Sequence, residues 1–336
     1  MEDAVEKVRH HAVSNLPTSA LNFGEDLVED SGVFSNLPVD VPKTIEINGE
    51  TYKITKLLGE GGFSFVFIVK NIQTGVDYAL KRLLIQDSSQ SVQAKKEIDV
   101  MKKLNNHENV VKLIGVKEIQ NNRTNEIYIL MELADSEVVG MMEERLNQRS
   151  KFSEQEILNI FFDVCKGVAH MHSQNPPMIH RDLKVENILC TNGTYKICDF
   201  GSTTTRIYTL SSRAEKQEAE EDIQKNTTLA YRAPEMADLY SGDPITEKAD
   251  VWALGCVLFK LCFFKGPFED AESSISVINA KYKIPPSPVY SQPIIDLIKS
   301  MLVPAVKDRP SVFDITEKVG KLLGKEISMP RPTQRP

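Results

Sequence analysis

Near the start of the chain, apolar and polar positions alternate in three stretches, residues 52–58, 63–70 and 77–83, each rich in β-branched and aromatic side chains. Period two with that composition predicts strands, and Thr74-Gly75 marks the turn before the last of them. Residues 91–104 change period, because Glu97, Val100, Met101 and Leu104 fall at i, i+3, i+4 and i+7 of a helix. Residues 127–131 read as a further, buried strand. Beyond about residue 135 the pattern turns helical. Ser153-Glu154-Gln155-Glu156 is a capping box, and the helix it opens carries Ile157, Ile160, Phe161, Val164, Val168 and Met171 on one stripe. Pro176-Pro177 breaks that helix. Residues 188–190 and 195–197 flank Asn192-Gly193, the preferred pair for a two-residue hairpin turn. The longest apolar run, 251–264, is too short to span a bilayer and contains Lys260, so it predicts a buried core helix. Residues 1–43 are polar, carry Pro17, Pro38 and Pro42 and show no period. They predict a disordered extension with a short docking patch near Val33-Phe34. The pattern divides the chain into that extension, a domain over 44–324 and a frayed tail over 325–336. Within the domain a strand-rich part covers about 50–134 and a helical part about 135–324.

Composition narrows the classes. An apolar fraction of 41% and a charged fraction of 26% belong to a soluble globular protein. A formal charge of −7 argues against a nucleic-acid binder, which would present a basic stripe. Five cysteines are scattered without C-x-x-C spacing, which excludes a disulfide framework and a zinc site and points to a reducing compartment. His170 and His172 are two residues apart, the wrong spacing for a metal pair on one helical face. The first residues lack a basic and then apolar leader, and Glu2 stands where N-myristoylation needs glycine. The expectation is a cytoplasmic protein with no transmembrane segment, meeting membranes only through partners.

The chemistry concentrates in a few short strings. His180-Arg181-Asp182-Leu183-Lys184-Val185-Glu186-Asn187 carries a carboxylate, a cation and an amide on one loop. Asp182 can accept a hydroxyl proton, Lys184 can neutralise a phosphoryl group in transfer, and Asn187 can hold a metal ion. Phosphoryl transfer asks for little besides positioning and charge neutralisation, so such a loop suits it. Gly59-Glu60-Gly61-Gly62-Phe63-Ser64 lies between two predicted strands, where glycines let the backbone close over phosphates. That context excludes a Rossmann turn, which would open a helix. Ala79 and Lys81 alternate onto one face of a strand. Glu97 sits on the apolar stripe of its helix and needs a cationic partner, for which Lys81 is the obvious candidate. Asp199-Phe200-Gly201 follows the hairpin, twelve residues after Asn187. Cys198 precedes it. The acidic run 215–222 reads as a solvated face, and the segment closes on Ala233-Pro234-Glu235.

Taken in order, these strings resemble the eukaryotic protein kinases over about residues 50–322. The resemblance implies an α+β, two-lobed fold, with a small antiparallel sheet and one main helix in the first lobe and a larger, mostly helical second lobe. It implies ATP and Mg²⁺, with Asn187 and Asp199 on the metal, and Asp182, Lys184, Asn187, Lys81 and Glu97 as the catalytic set. The nucleotide would meet Gly59, Glu60, Gly61, Gly62, Phe63, Ser64, Val66, Ala79, Lys81, Met131, Glu132, Ala134, Leu189, Cys198 and Asp199. Met131 corresponds to the gatekeeper and Glu132 to Ala134 to the segment meeting adenine. Arg309 would pair with Glu235, and Thr228 would approach Asp182. Within the superfamily the chain looks like the Numb-associated kinases, on Glu60 to Phe63, His180 to Ile188 with Val185 at a position often proline, Cys198 to Ser202 and Thr227 to Glu235. That likeness implies Ser/Thr specificity, a helix after Ala233-Pro234-Glu235 packed on the activation segment, clathrin-adaptor medium chains as substrates and a place at coated vesicles. The rival reading is a pseudokinase scaffold. Lys81, Asp182 and Asp199 are all present, which weighs against it. The sequence leaves the oligomeric state open.

Overall fold

The computed structural model describes residues 41–61, 64–120, 125–269, 274–325, 327–329 and 331. The extension expected over 1–43 therefore lies almost wholly outside the described residues, as do Gly62 and Phe63 of the glycine loop. The described chain forms two compact units, one of residues 41–106 and 111–136, the other of 107–110 and 137 onward.

The first unit is a sheet with one helix. Strands Thr44–Ile47 (β1), Glu50–Gly61 (β2), Ser64–Asn71 (β3), Asp77–Ile85 (β4), Leu113–Gln120 (β5) and Asn125–Glu132 (β6) pair antiparallel in the order β1-β2-β3-β4-β6-β5. The helix is Ser88–Leu104 (α1), capped by the Asp87 carboxylate, which accepts from Gln90 N at 2.9 Å. Period two sorts the side chains. Phe65, Phe67, Leu80, Tyr128 and Leu130 bury one face of the sheet in a core with Ile45, Ile47 and Ile54. Their neighbours Val66, Ala79, Lys81 and Met131 turn to the other face and are only partly buried. The register ties them together, with Val66 opposite Lys81 and Ala79 opposite Met131. A slip of one residue would send this set into the core. β1 and β5 are not among the strands expected from the pattern. β1 alternates cleanly but over four residues only, and β5 lacks clean alternation; both hold their places by pairing, β1 with β2 and β5 with β6.

Helices dominate the second unit: Val138–Asn147 (α2), Glu154–His172 (α3), Arg213–Asn226 (α4), Lys248–Phe263 (α5), Gln292–Met301 (α6) and Val312–Leu322 (α7). The capping box at the start of α3 forms as the sequence requires, and α5 is buried along its length. Gly255 lets α5 close on α6, since a Cβ there would lie 2.7 Å from Leu302 Cδ2. Strands Ile188–Thr191 and Thr194–Ile197 form the expected hairpin, with Asn192 and Gly193 both at positive φ.

Two expectations need correction. Residues 107–110 belong with the second unit, although the pattern placed them in the strand-rich part. Ile197 N donates to Asn109 O at 3.0 Å, Asn109 Nδ2 donates to Tyr195 O at 2.9 Å, and Glu108 pairs with Lys166 at 2.7 Å. Nothing local in the sequence encodes that attachment. The second correction concerns the extra helix. It is α4, and it lies before Ala233-Pro234-Glu235, whereas after it only the single turn Pro234–Ala237 is helical before α5. Acidic, helix-forming residues with the Ser212 cap are what make 213–226 a helix.

Candidate active site

In the first unit, Lys81 Nζ meets Glu97 Oε1 at 2.7 Å. The stripe position of Glu97 leaves the carboxylate 7% exposed, so the pair resolves its desolvation. Val66, Ala79 and Met131 share the face that carries Lys81. Gly59 and Gly61 pair with Val66 and Ser64 across the β2–β3 turn. A Cβ on Gly61 would come within 2.8 Å of Ser64 Oγ, so the serine that stands in place of the third glycine makes Gly61 the tighter requirement. Glu132 belongs to the same sheet, with its N–H donating to Lys112 O at 3.0 Å and its carboxylate accepting from Lys112 N at 2.7 Å. Ala134 follows β6 directly.

In the second unit the catalytic loop hangs on a residue to which the sequence reading assigned no role. Asp250, fully buried in α5, accepts from His180 N and Arg181 N at 2.8 Å each and from His172 Nε2 at 2.8 Å. Burial alone would raise its carboxyl. The His172 hydrogen bond and nearby charge, together with the Arg181 amide, hold it below the usual range. The signal was present, because an acid on an otherwise apolar helix must have partners. His180 Nε2 meets Cys198 O at 3.1 Å while Nδ1 accepts from Asp182 N at 3.3 Å, which assigns the Nε2–H tautomer. Arg181 and Asp199 both sit at positive φ, 69° and 59°, where side-chain-bearing residues are rare and functional sites are frequent.

Asp182, Lys184 and Thr228 form a closed triangle. Asp182 Oδ1 accepts from Thr228 N at 3.0 Å and from Thr228 Oγ1 at 2.7 Å, and its Oδ2 meets Lys184 Nζ at 2.9 Å. Lys184 Nζ also donates to Thr228 Oγ1 at 3.1 Å. A carboxylate thus takes a hydroxyl hydrogen while an ammonium sits on the same oxygen. Asn187 Nδ2 donates to Asp182 O at 2.9 Å, which commits the amide nitrogen to the loop and the oxygen to any cation. Asp199 stands beyond the hairpin whose first strand carries Leu189, and Cys198 N donates to Asn187 O at 3.1 Å. A carboxylate and an amide oxygen are hard donors of the kind Mg²⁺ takes, with the remaining positions left to water and phosphate. The residues present therefore fit that ion.

The activation segment is held from inside. Arg181 Nε donates to Ser202 O at 2.7 Å and the same guanidinium pairs with Asp222 on α4. Tyr208 Oη and Asn226 Nδ2 donate to the Asp222 carboxylate at 2.9 and 2.6 Å. Burial would raise Asp222, but the Arg181 hydrogen bond and charge win and hold it low. Within the run 215–222 Ala219 is buried and Glu215, Lys216 and Asp222 are partly buried, and Asp222, bound by Arg181, is the correction to a uniformly solvated reading. Glu235 and Arg309 form a buried fork at 2.6 and 2.8 Å.

An antiparallel sheet bearing Lys81 with a helix bearing Glu97 in one unit, and a helical unit bearing Asp182, Asn187 and Asp199, define a protein-kinase architecture. The chain matches the protein kinase domain over residues 52–319, and it belongs to that family. It is similar to two probable serine/threonine-protein kinases of Dictyostelium discoideum. Each is 46% identical over 291 residues, covering 86% and 84% of this chain but 26% and 36% of those proteins. It is also 37% identical to the actin-regulating kinase PRK1 of Saccharomyces cerevisiae, over 84% of this chain and 36% of that protein. The chain spans about a quarter to a third of the length of these curated relatives.

Proposed function

We propose that this chain is an ATP-dependent protein serine/threonine kinase. One observation carries the reading: Asp182 and Lys184 together cradle a hydroxyl oxygen, that of Thr228, in the arrangement a phosphoacceptor needs. Asp182 orients the acceptor hydroxyl and takes its proton as the oxygen bonds to the γ-phosphorus and the bond to the β-phosphate oxygen breaks. Lys184 neutralises charge on the moving phosphoryl group. Lys81, fixed by Glu97, neutralises the α- and β-phosphates. Mg²⁺, held by Asn187 and Asp199, would supply charge neutralisation of the nucleotide when bound.

Substrate and place follow from the resemblance to the Numb-associated kinases. We assign vesicle-traffic proteins, with clathrin-adaptor medium chains first, and a cytoplasmic site at coated vesicles. The likeness to a kinase named for actin regulation supports a second reading, substrates of the actin cytoskeleton. Transfer of labelled phosphate from ATP–Mg²⁺ to an adaptor medium chain and to actin-regulating proteins separates the two. Asp182→Asn should lower kcat by about 10²–10⁴ while the thermal unfolding profile stays cooperative. Wild-type protein that binds ATP and labels nothing would make the chain a scaffold.

A further inference from the structure

Helix α1 presents two faces of different chemistry. Ala94, Glu97, Ile98, Met101 and Leu104 are buried, and Glu97 among them meets Lys81. Val92, Lys95, Lys96, Asp99, Lys102 and Lys103 make up the other face and are all exposed. Asp99 stands three or four residues from each of the four lysines, so on the helix surface one carboxylate has four ammoniums for neighbours. A second carboxylate, Glu118 on β5, lies 3.9 Å from Lys95, and both of those side chains remain more than half exposed. Lys102 and Lys103 in the last turn favour the helix dipole, whereas Lys95 and Lys96 in the middle of the helix do not. At the head of the same face Val92 is 67% exposed. The face thus offers positive charge beside an apolar side chain, in a chain whose net charge is −7.

Residues 1–40 hold the counter-charge. They carry eight acidic and two basic side chains, which is −6 of the −7. Four of the acids fall in Glu25-Asp26-Leu27-Val28-Glu29-Asp30, a run with no basic residue, and Val33-Phe34 follow it. That stretch lies outside the described residues, but the chain enters the first unit at Val41, which packs against the core of the sheet. Reach is not limiting. An extended chain covers about 23 Å from Phe34 to Val41 and about 36 Å from Asp30. A unit of this size has a radius of gyration of about 13 Å. An exposed ion pair contributes little by itself, and salt screens it. A tether changes the outcome, because it holds the acids beside the lysines at an effective concentration on the order of millimolar.

We infer that residues 25–34 dock on the exposed face of α1. Glu25, Asp26, Glu29 and Asp30 meet Lys95, Lys96, Lys102 and Lys103, and Val33-Phe34 lie beside Val92. The order of charged and apolar groups fits a segment running antiparallel to α1. Because α1 carries Glu97, the docked segment steadies the helix that holds Lys81 in place.

Carbodiimide coupling of the full chain tests the contact, since it joins a carboxyl to an amine only where the two already touch, and mass spectrometry of the digest locates each bond. Wild-type protein should couple the acids of the 25–30 run to the lysines of α1 within one chain. The yield should fall by at least about threefold when salt rises from about 0.05 to about 0.5 M. A variant carrying Glu25→Lys, Asp26→Lys, Glu29→Lys and Asp30→Lys leaves every residue of the sheet and the helices as it is. Its amide exchange over residues 92–104 should be faster than wild type by about threefold or more, and Val33→Ser with Phe34→Ser should give part of that change. Absence of these bonds, coupling of the acidic run to lysines elsewhere, or exchange unchanged by the four substitutions overturns the proposal. Bonds found only between two chains would give the face to a second copy and overturn it as well. None of these readouts needs catalysis, so the kinase reading stands or falls separately.

Discussion

Glu137, 7% exposed in the position before α2, has its carboxyl pushed up to about 7 by burial and by the charges of Glu143 and Glu186, and this makes a prediction about stability. Its folded carboxyl keeps its proton up to about pH 7, whereas in the unfolded chain it ionises near 4.5. Between those values the folded state binds more protons, so stability falls as pH rises and levels off above 7. The difference corresponds to roughly 3 kcal/mol. Relative to wild type, Glu137→Gln should therefore gain about 2–3 kcal/mol of unfolding free energy between pH 5 and pH 8. Denaturant melts at the two pH values measure it, and a constant difference would mean that Glu137 is already paired. Asp250 behaves in the opposite sense. Its carboxyl is held low, so its contribution is present above the ordinary aspartate range and is lost as pH falls. Of the two, only Asp250 was within reach of sequence reasoning. A lone acid on a helix as apolar as α5 announces a partner, while Glu137 looks like any acid in a short polar connection.

At the scale of elements, α4 decides how the activation segment is kept in place. Arg181 belongs to the catalytic loop, and Asp222 reaches it from α4 with Tyr208 and Asn226 on the same carboxylate. A carboxylate thus occupies the position at the guanidinium that a phosphate could take. The expected outcome is that protein free of activation-segment phosphate keeps its activity. Asp222→Ala should lower it by roughly an order of magnitude, in keeping with about 1.5–3 kcal/mol for a charged hydrogen bond. Hydrogen exchange over residues 213–226 should quicken in the same variant. Activity that depends wholly on phosphorylation, with the variant unchanged, would contradict this account. The helix itself was legible as an acidic, helix-prone run. Its inward-facing Asp222 was not, because the partner lies 41 residues earlier in the chain.

The whole molecule is two units of different make, each closed by contacts that span long stretches of sequence. In the second unit the fork between Arg309 and Glu235 joins residues 74 apart, and both side chains are almost fully buried. Arg309 also donates to the carbonyls of Lys248, Val303 and Pro304. Arg309→Ala strands Glu235 and three carbonyls and should cost about 3–5 kcal/mol in denaturant unfolding. Arg309→Lys should recover little of it, since an ammonium cannot reproduce the fork. Near-wild-type stability of either variant would show that water replaces the guanidinium there.

The sequence alone determined the strings that carry the chemistry and the elements with strong local period. The β2–β4 strands, α1, α3, α5 and the Asn192-Gly193 hairpin follow from side chains within a few residues of one another, and so does the need of Glu97 for a cation. Only the tertiary structure decided which distant groups complete them. Asp250 holds the catalytic loop from 70 residues away, Asp222 clasps Arg181, and residues 107–110 join the helical unit through Tyr195, Ile197 and Lys166. It also left Glu137 buried among like charges. The reason is physical. Periodicity reports which face of an element is buried, whereas a hydrogen bond or an ion pair depends on which other element arrives at that face.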